Sequence, residues 1–256
     1  MSAEAPRRRQ SPERSRPSVF WPLAAIIVPI IGIFTKIEVS GEENLPTEGA
    51  YVLAPNHYSE LDPVIVAVAV WRIGRAPRFM AKESLFKVPV LGWALRATGM
   101  IPVARTSNAS SAKHTIQTAH HLVENGSGVI VYPEGSLTRD PDAWPMRGKT
   151  GAVRVAVAGG IPLIPMAHWG VQEIMPRYGK LSLWPLRKRI KVVFGPAVPM
   201  PERGEKPTPP SVLVAATDAV MAQVAQMLGE IRGTQPPTER WNPSDHGQRE
   251  TGRLDS

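Results

Sequence analysis

Apolar and polar positions divide this chain into three zones. Residues 19–34 form one apolar stretch without a charge, residues 49–194 alternate short apolar runs with stretches of helical period, and residues 211–231 carry a long amphipathic pattern. Apolar runs of strand length cover 51–55, 78–81, 100–104, 128–132, 161–167 and 190–194; helical patterns cover 63–71, 89–98, 109–124, 150–158 and 211–231. The run Val129-Ile130-Val131 is continuous rather than alternating, as expected of a strand buried on both faces. Strands alternating with helices of these lengths predict an α/β fold with a mostly parallel central sheet covered by helices. No internal repeat is evident.

The ends differ in composition. Residues 1–18 set Arg7-Arg8-Arg9, Arg14 and Arg16 among Ser, Pro and Glu and read as a disordered basic arm. The apolar stretch 19–34 is interrupted by Pro22, Pro29 and Gly32 and falls below the roughly 17–25 residues that a spanning helix needs. A cleaved secretory signal is the rival reading, with Val39-Ser40-Gly41 as its cleavage site, but the chain beyond runs straight into the domain. An N-terminal membrane-associated segment lying in the interface is the expectation. Residues 35–232 then form the domain, and 233–256, rich in Pro, Thr and charge, read as a disordered tail.

Composition narrows the chemistry. Among 256 residues there is no cysteine, which removes disulfides, thiolate zinc sites and cysteine nucleophiles. A net charge of +8 invites a polyanionic partner. No nucleic-acid motif accompanies it, so an anionic membrane is the expected partner. His114, His120 and His121 lack the spacing of a helical zinc pair, and no G-x-S-x-G elbow is present. Gly148-Lys149-Thr150 lacks the leading glycine of a phosphate loop; it reads as a helix start with Lys149 near an anionic ligand. Trp21, Trp71 and Trp93 mark either a membrane-facing belt or core packing.

In open α/β sheets ligands gather beyond the carboxyl ends of the strands. The residues there are Asn56-His57, Arg105 and Pro133-Glu134-Gly135-Ser136. His57 and Asp62 are five positions apart, a spacing that on a straight helix turns them about 140° from each other, so they meet only if the chain bends. Pro63 favours that bend. Two readings stay open on these residues alone: Asp62 caps the helix that starts at Pro63, or it holds the His57 ring in one tautomer so that the other nitrogen takes a proton.

The ordered motifs decide between them. His57-x4-Asp62, Gly99-Met100-Ile101-Pro102-Val103-Ala104-Arg105, Tyr132-Pro133-Glu134-Gly135-Ser136 and Ile161-Pro162-Leu163-Ile164-Pro165 together resemble the four motifs of the glycerolipid acyltransferases related to 1-acylglycerol-3-phosphate acyltransferase, in the same order. The resemblance implies that His57 is the general base with Asp62 orienting it, and that Arg105, Glu134 and Gly135 bind the acceptor. It implies acyl transfer from acyl-CoA or an acyl-carrier protein to a lysophosphatidic-acid-type acceptor; moving an acyl group from a thioester needs no cofactor or metal, and the arginines of residues 7–16 put the membrane contact on the cytoplasmic face. Another lysophospholipid or a glycolipid alcohol is the alternative acceptor, and an inactive membrane-binding relative the alternative class. Two positions depart from the family pattern: Ala104 where an acidic residue often stands, and Leu137-Thr138 before Arg139 where the arginine often follows directly.

Overall fold

The computed structural model describes residues 18–103, 109–204 and 206–249. Its elements run α1 (Phe20–Phe34), β1 (Thr35–Ser40), β2 (Tyr51–Pro55), α2 (Asp62–Ile73), β3 (Met80–Lys82), α3 (Pro89–Ala97), β4 (Ile101–Val103), α4 (Ala109–Asn125), β5 (Gly128–Ile130), α5 (Gly151–Gly159), β6 (Leu163–Trp169), β7 (Lys188–Phe194) and α6 (Pro210–Arg232). Strands pair in the order β1-β7-β6-β2-β5. A bridge from Phe79 to Ile130 joins the β3-β4 pair to the β5 edge. Among the named strands every pairing is parallel except β6 with β7, so the sheet is mostly parallel.

Helices on both faces explain the continuous apolar strands. Along β2, Tyr51 and Leu53 point to the face packed by Ile65, Val66, Ala69 and Val70 of α2. Val52 and Ala54 point to the opposite face, against Val153 and Ala156 of α5 and Val220 and Val224 of α6. All four β2 side chains are fully buried, and neither face can carry a polar residue cheaply. The loops at the amino ends of β2 and β5 are stapled by Arg75, whose guanidinium is buried. It donates to the carbonyls of Pro46, Gly49 and Gly126 and lies 4.6 Å over the Tyr51 ring.

β1 was not among the expected strands. Thr35-Lys36-Ile37-Glu38-Val39-Ser40 does alternate, but pairs with β7 on one side only and stays half-exposed. Because α1 ends at Phe34 and β1 begins at Thr35, cleavage after Gly41 would strip a paired strand from the sheet. That argues against a signal peptide. Pro22 and Pro29 do not break α1; Pro29 sits inside a continuous helix. The expected cap at Asp62 is also corrected. Asp62 is the first residue of α2, and its side chain caps no amide of that helix.

The disordered tail needs revision too. Residues 1–17 and 250–256 lie outside the described residues, but 233–249 fold back on α6. Arg240 pairs with Asp218 at 3.0 Å, the Trp241 ring stacks on His246, and the Trp241 carbonyl accepts from the amide of Arg147. Two side chains tie this segment down without any hydrophobic period, which is why its composition reads as disorder.

Gly128 is a packing constraint. A Cβ there would lie 2.0 Å from Cζ of Tyr51, whose ring is fully buried under Arg75 and has nowhere to move. We expect Gly128→Ala to cost about 1–3 kcal/mol by overpacking, read as a lower denaturation midpoint. An unchanged midpoint would show that the ring yields.

Candidate active site

The loop between β2 and α2 bends as the sequence requires. Its focus is Oδ2 of Asp62, which accepts three N–H groups: Nδ1 of His57 at 3.0 Å, the amide of Tyr58 at 2.7 Å and the amide of Ser59 at 2.8 Å. Asp62 is fully buried at the first position of α2, where the helix dipole favours a negative charge. Since a carboxylate only accepts, the proton on the neutral His57 ring sits on Nδ1. Nε2 is then the unprotonated nitrogen, with no protein partner among the described residues, and the ring is 17% exposed.

The rest of His57 is held by the loop after β5. Its amide donates to Oε1 of Glu134 at 2.9 Å, its carbonyl accepts from the amide of Thr138 at 2.7 Å, and its ring stacks on Tyr132 at 4.0 Å. Two strand-end loops thus fix the backbone, face and tautomer of one imidazole. Such pre-organisation is what a positioned base requires.

Glu134 plays a different part from the acceptor contact expected. It is fully buried, and its second oxygen accepts from the amide of Met146 at 3.1 Å, so neither oxygen is turned to a ligand. Burial pushes its carboxyl up to about 8, against the lowering effect of the amides of Met146 and His57. Gly135 sits in a tight turn at φ +72°, its amide donating to the Tyr132 carbonyl, which accounts for glycine on backbone grounds. Lys149 crosses this turn, its side chain packed against Gly135. Arg105 lies outside the described residues. Arg139 is buried rather than facing outward.

The sequence reading missed His168. It is fully buried beside the pair, with Nε2 donating to the Asn56 carbonyl at 3.0 Å and Nδ1 placed 3.3 Å from the Tyr58 hydroxyl. The Asn56 amide in turn pairs with both backbone groups of His168. Nδ1 of His168 lies 3.9 Å from Oδ1 of Asp62, an ion pair only if the ring is charged. Burial lowers its pKa, and its contacts fit a neutral ring, with Nε2 donating to one carbonyl and Nδ1 accepting from a hydroxyl. The signal was available: β6 extends two residues beyond the expected 161–167, and inspecting its carboxyl end would have reached His168. Among the described residues no group of three or more His, Cys, Asp or Glu side chains forms a metal-ligand set.

Residues 36–169, just over half of the chain, match the family model described as Acyltransferase, and the chain belongs to that family. The chloroplastic 1-acyl-sn-glycerol-3-phosphate acyltransferase BAT2 of Brassica napus is 32% identical over 144 residues, covering 56% of this chain and 40% of the relative. The 1-acyl-sn-glycerol-3-phosphate acyltransferase of Bacillus subtilis is 27% identical over 79% of this chain and 93% of its own length. This chain therefore spans less than half of the chloroplast protein but nearly all of the bacterial one. The crystal structure of the 1-acyl-sn-glycerophosphate acyltransferase PlsC from Thermotoga maritima superposes with a TM-score of 0.61 at 22% identity, covering 88% of this chain and 81% of that one. That likeness concerns the fold.

The buried Glu134 gives a pH prediction. With its folded pKa raised above the unfolded value, its protonated form contributes stability that is complete below about pH 4.5 and lost as pH rises through about 8. The loss is at most about 1.4 kcal/mol per pH unit for one proton. His168, with its pKa lowered, acts only below its unfolded value near 6.5. Melting of the wild type should therefore fall between pH 6.5 and 8 more steeply than that of Glu134→Gln. Parallel melting curves would remove Glu134 from the linkage.

Proposed function

We propose that this chain transfers a fatty acyl group from a thioester to the free hydroxyl of a lysophosphatidic-acid-type acceptor, giving phosphatidic acid. The observation that carries this reading is the His57–Asp62 contact. One ring nitrogen is bound to a buried carboxylate, and the other is left with its lone pair unused. Nε2 takes the proton of the acceptor hydroxyl as its oxygen attacks the thioester carbonyl. The tetrahedral intermediate then collapses, the C–S bond breaks, and the imidazolium returns the proton to the departing thiolate. Asp62 stabilises the imidazolium while it exists and holds its orientation. The thioester is already activated, so these steps need no covalent enzyme intermediate.

In this reading Arg105 and Lys149 supply cations for the acceptor phosphate, Arg105 by the family resemblance and Lys149 by its place over Gly135. Glu134 is a positioning residue that fixes the His57 backbone. The donor is acyl-CoA or an acyl-carrier protein.

The enzyme sits on the cytoplasmic face of a membrane, held by α1. That helix is apolar all round, which suits either a buried helix or a lipid-facing one. Phe20, Trp21, Ala24 and Val28 pack on α2 and its C-terminal flank, while Ile26, Ile30 and Ile33 face outward. At 15 residues it is about 22 Å long, short of the ~30 Å hydrocarbon core. The helix among the described residues that is long and apolar enough to span is α6, and half of it is buried against the core.

Purified protein, lysophosphatidic acid and labelled acyl-CoA or acyl-carrier protein test the activity. His57→Ala should lower kcat by about 10²–10⁴-fold with melting preserved. Asp62→Asn should lose both rate and stability, since one oxygen serves three donors. Near-wild-type turnover by folded His57→Ala would remove the base from the mechanism. Arg105→Ala should raise KM for the phosphorylated acceptor more than for the donor, with Arg105→Lys restoring only part because an ammonium lacks the bidentate contact. Equal use of an unphosphorylated monoacylglycerol by the wild type would overturn the assigned acceptor.

A further inference from the structure

The segment between β6 and β7 carries an apolar patch that neither the core nor the proposed chemistry uses. Leu181, Leu183, Trp184 and Leu186 are 55%, 38%, 78% and 46% exposed, and every residue from 180 to 187 is on the surface. Soluble surfaces rarely gather so many large apolar side chains in six residues. Basic residues flank them: Lys180 before, Arg187 and Arg189 after, all exposed.

The base of this segment is firmly held. The Ser182 amide donates to the Ile174 carbonyl at 2.7 Å, and Nζ of Lys188, largely buried, donates to the carbonyls of Glu173 and Ser182. A few residues upstream the same segment is tied to both site loops. The Ser59 hydroxyl donates to the Met175 carbonyl, the Tyr178 amide donates to the Glu60 carboxylate, and Arg177 donates to the carbonyls of Thr138 and Asp140. The apolar side chains are thus presented on a fixed base that also braces the His57 loop.

Topology sets where this base lies. β7 runs antiparallel to β6, so it begins at the edge where β6 ends, and β2, parallel to β6, ends there too. β1 is parallel to β7 with Thr35 beside Lys188, so α1 also ends at that edge. The foot of the 181–186 segment, the C-terminal end of α1 and His57 therefore share one edge of the sheet. From this placement we infer that residues 181–186 are a second membrane-inserting element, a wedge that enters an anionic bilayer beside α1 and seats the active-site edge on the lipid surface. The inference rests on the membrane reading of α1. A lipid surface fits because Trp and Leu side chains rimmed by Lys and Arg match an acyl boundary under anionic headgroups.

The absence of cysteine makes a direct test possible. In the full chain, Leu183→Cys and, separately, Ile30→Cys are labelled with an environment-sensitive fluorophore and mixed with phosphatidylcholine vesicles with and without phosphatidylglycerol. The wedge predicts blue-shifted, brighter emission at position 183, quenched by spin labels on the acyl chains and stronger with the anionic lipid. Trp184→Ser should weaken vesicle binding about tenfold while leaving turnover of detergent-dispersed substrate unchanged. A response at Ile30→Cys with none at Leu183→Cys would overturn the wedge and leave the α1 reading intact. Silence at both positions would overturn both. Emission that shifts with protein concentration in the absence of lipid, and not with vesicles, would assign the patch to self-association instead.

Discussion

One carboxylate oxygen organises the functional edge of this protein. Oδ2 of Asp62 gathers the His57 ring and two consecutive backbone amides, so the bend that brings histidine to carboxylate and the orientation of the ring come from the same atom. A fully buried charge is costly unless hydrogen-bonded; here three donors and the amino end of α2 offset that cost. The remaining contacts build outward from this point. Glu134 and Thr138 fix the His57 peptide, Tyr132 fixes the ring face, and Asn56 with His168 ties the loop to the end of β6.

The single antiparallel pairing has a consequence beyond strand order. In an all-parallel sheet every strand would end at the edge that carries the site. Here β7 and β1 begin there, so the apolar helix that precedes β1 and the exposed loop that precedes β7 are delivered to the side where His57 lies. In the proposed reaction, this arrangement brings the lipid-facing helix and His57 to the same edge of the sheet.

Much of this was legible in the sequence, for physical reasons that differ by region. Val129-Ile130-Val131 reads as a strand because helices cover both sides of it, and the helix after Pro63 reads as one because proline suits its first turn. The bend at 57–62 and the His57–Asp62 contact could be argued from spacing and motifs, but not the two backbone amides on the same oxygen: in place of the expected helix cap, Asp62 clamps the preceding loop. β1 was missed because it is a short, half-buried edge strand that follows the apolar stretch without a break. His168 was missed because the carboxyl end of β6 was not inspected with the other strand ends, and Glu134 was given to the substrate because a motif does not say which way a side chain points. The 233–249 segment escaped because single contacts from Arg240 and Trp241, rather than periodicity, hold it.

The central claim is that Asp62 fixes the His57 proton on Nδ1 and leaves Nε2 to accept one. Imidazole ¹⁵N shifts and long-range ¹H–¹⁵N correlations read this directly, with His57 distinguished from the other histidines among the six by its absence in His57→Ala. At a pH where the ring is neutral, the account predicts a protonated Nδ1 and a bare Nε2 for His57. A proton on Nε2 would contradict it, because that nitrogen could then only donate.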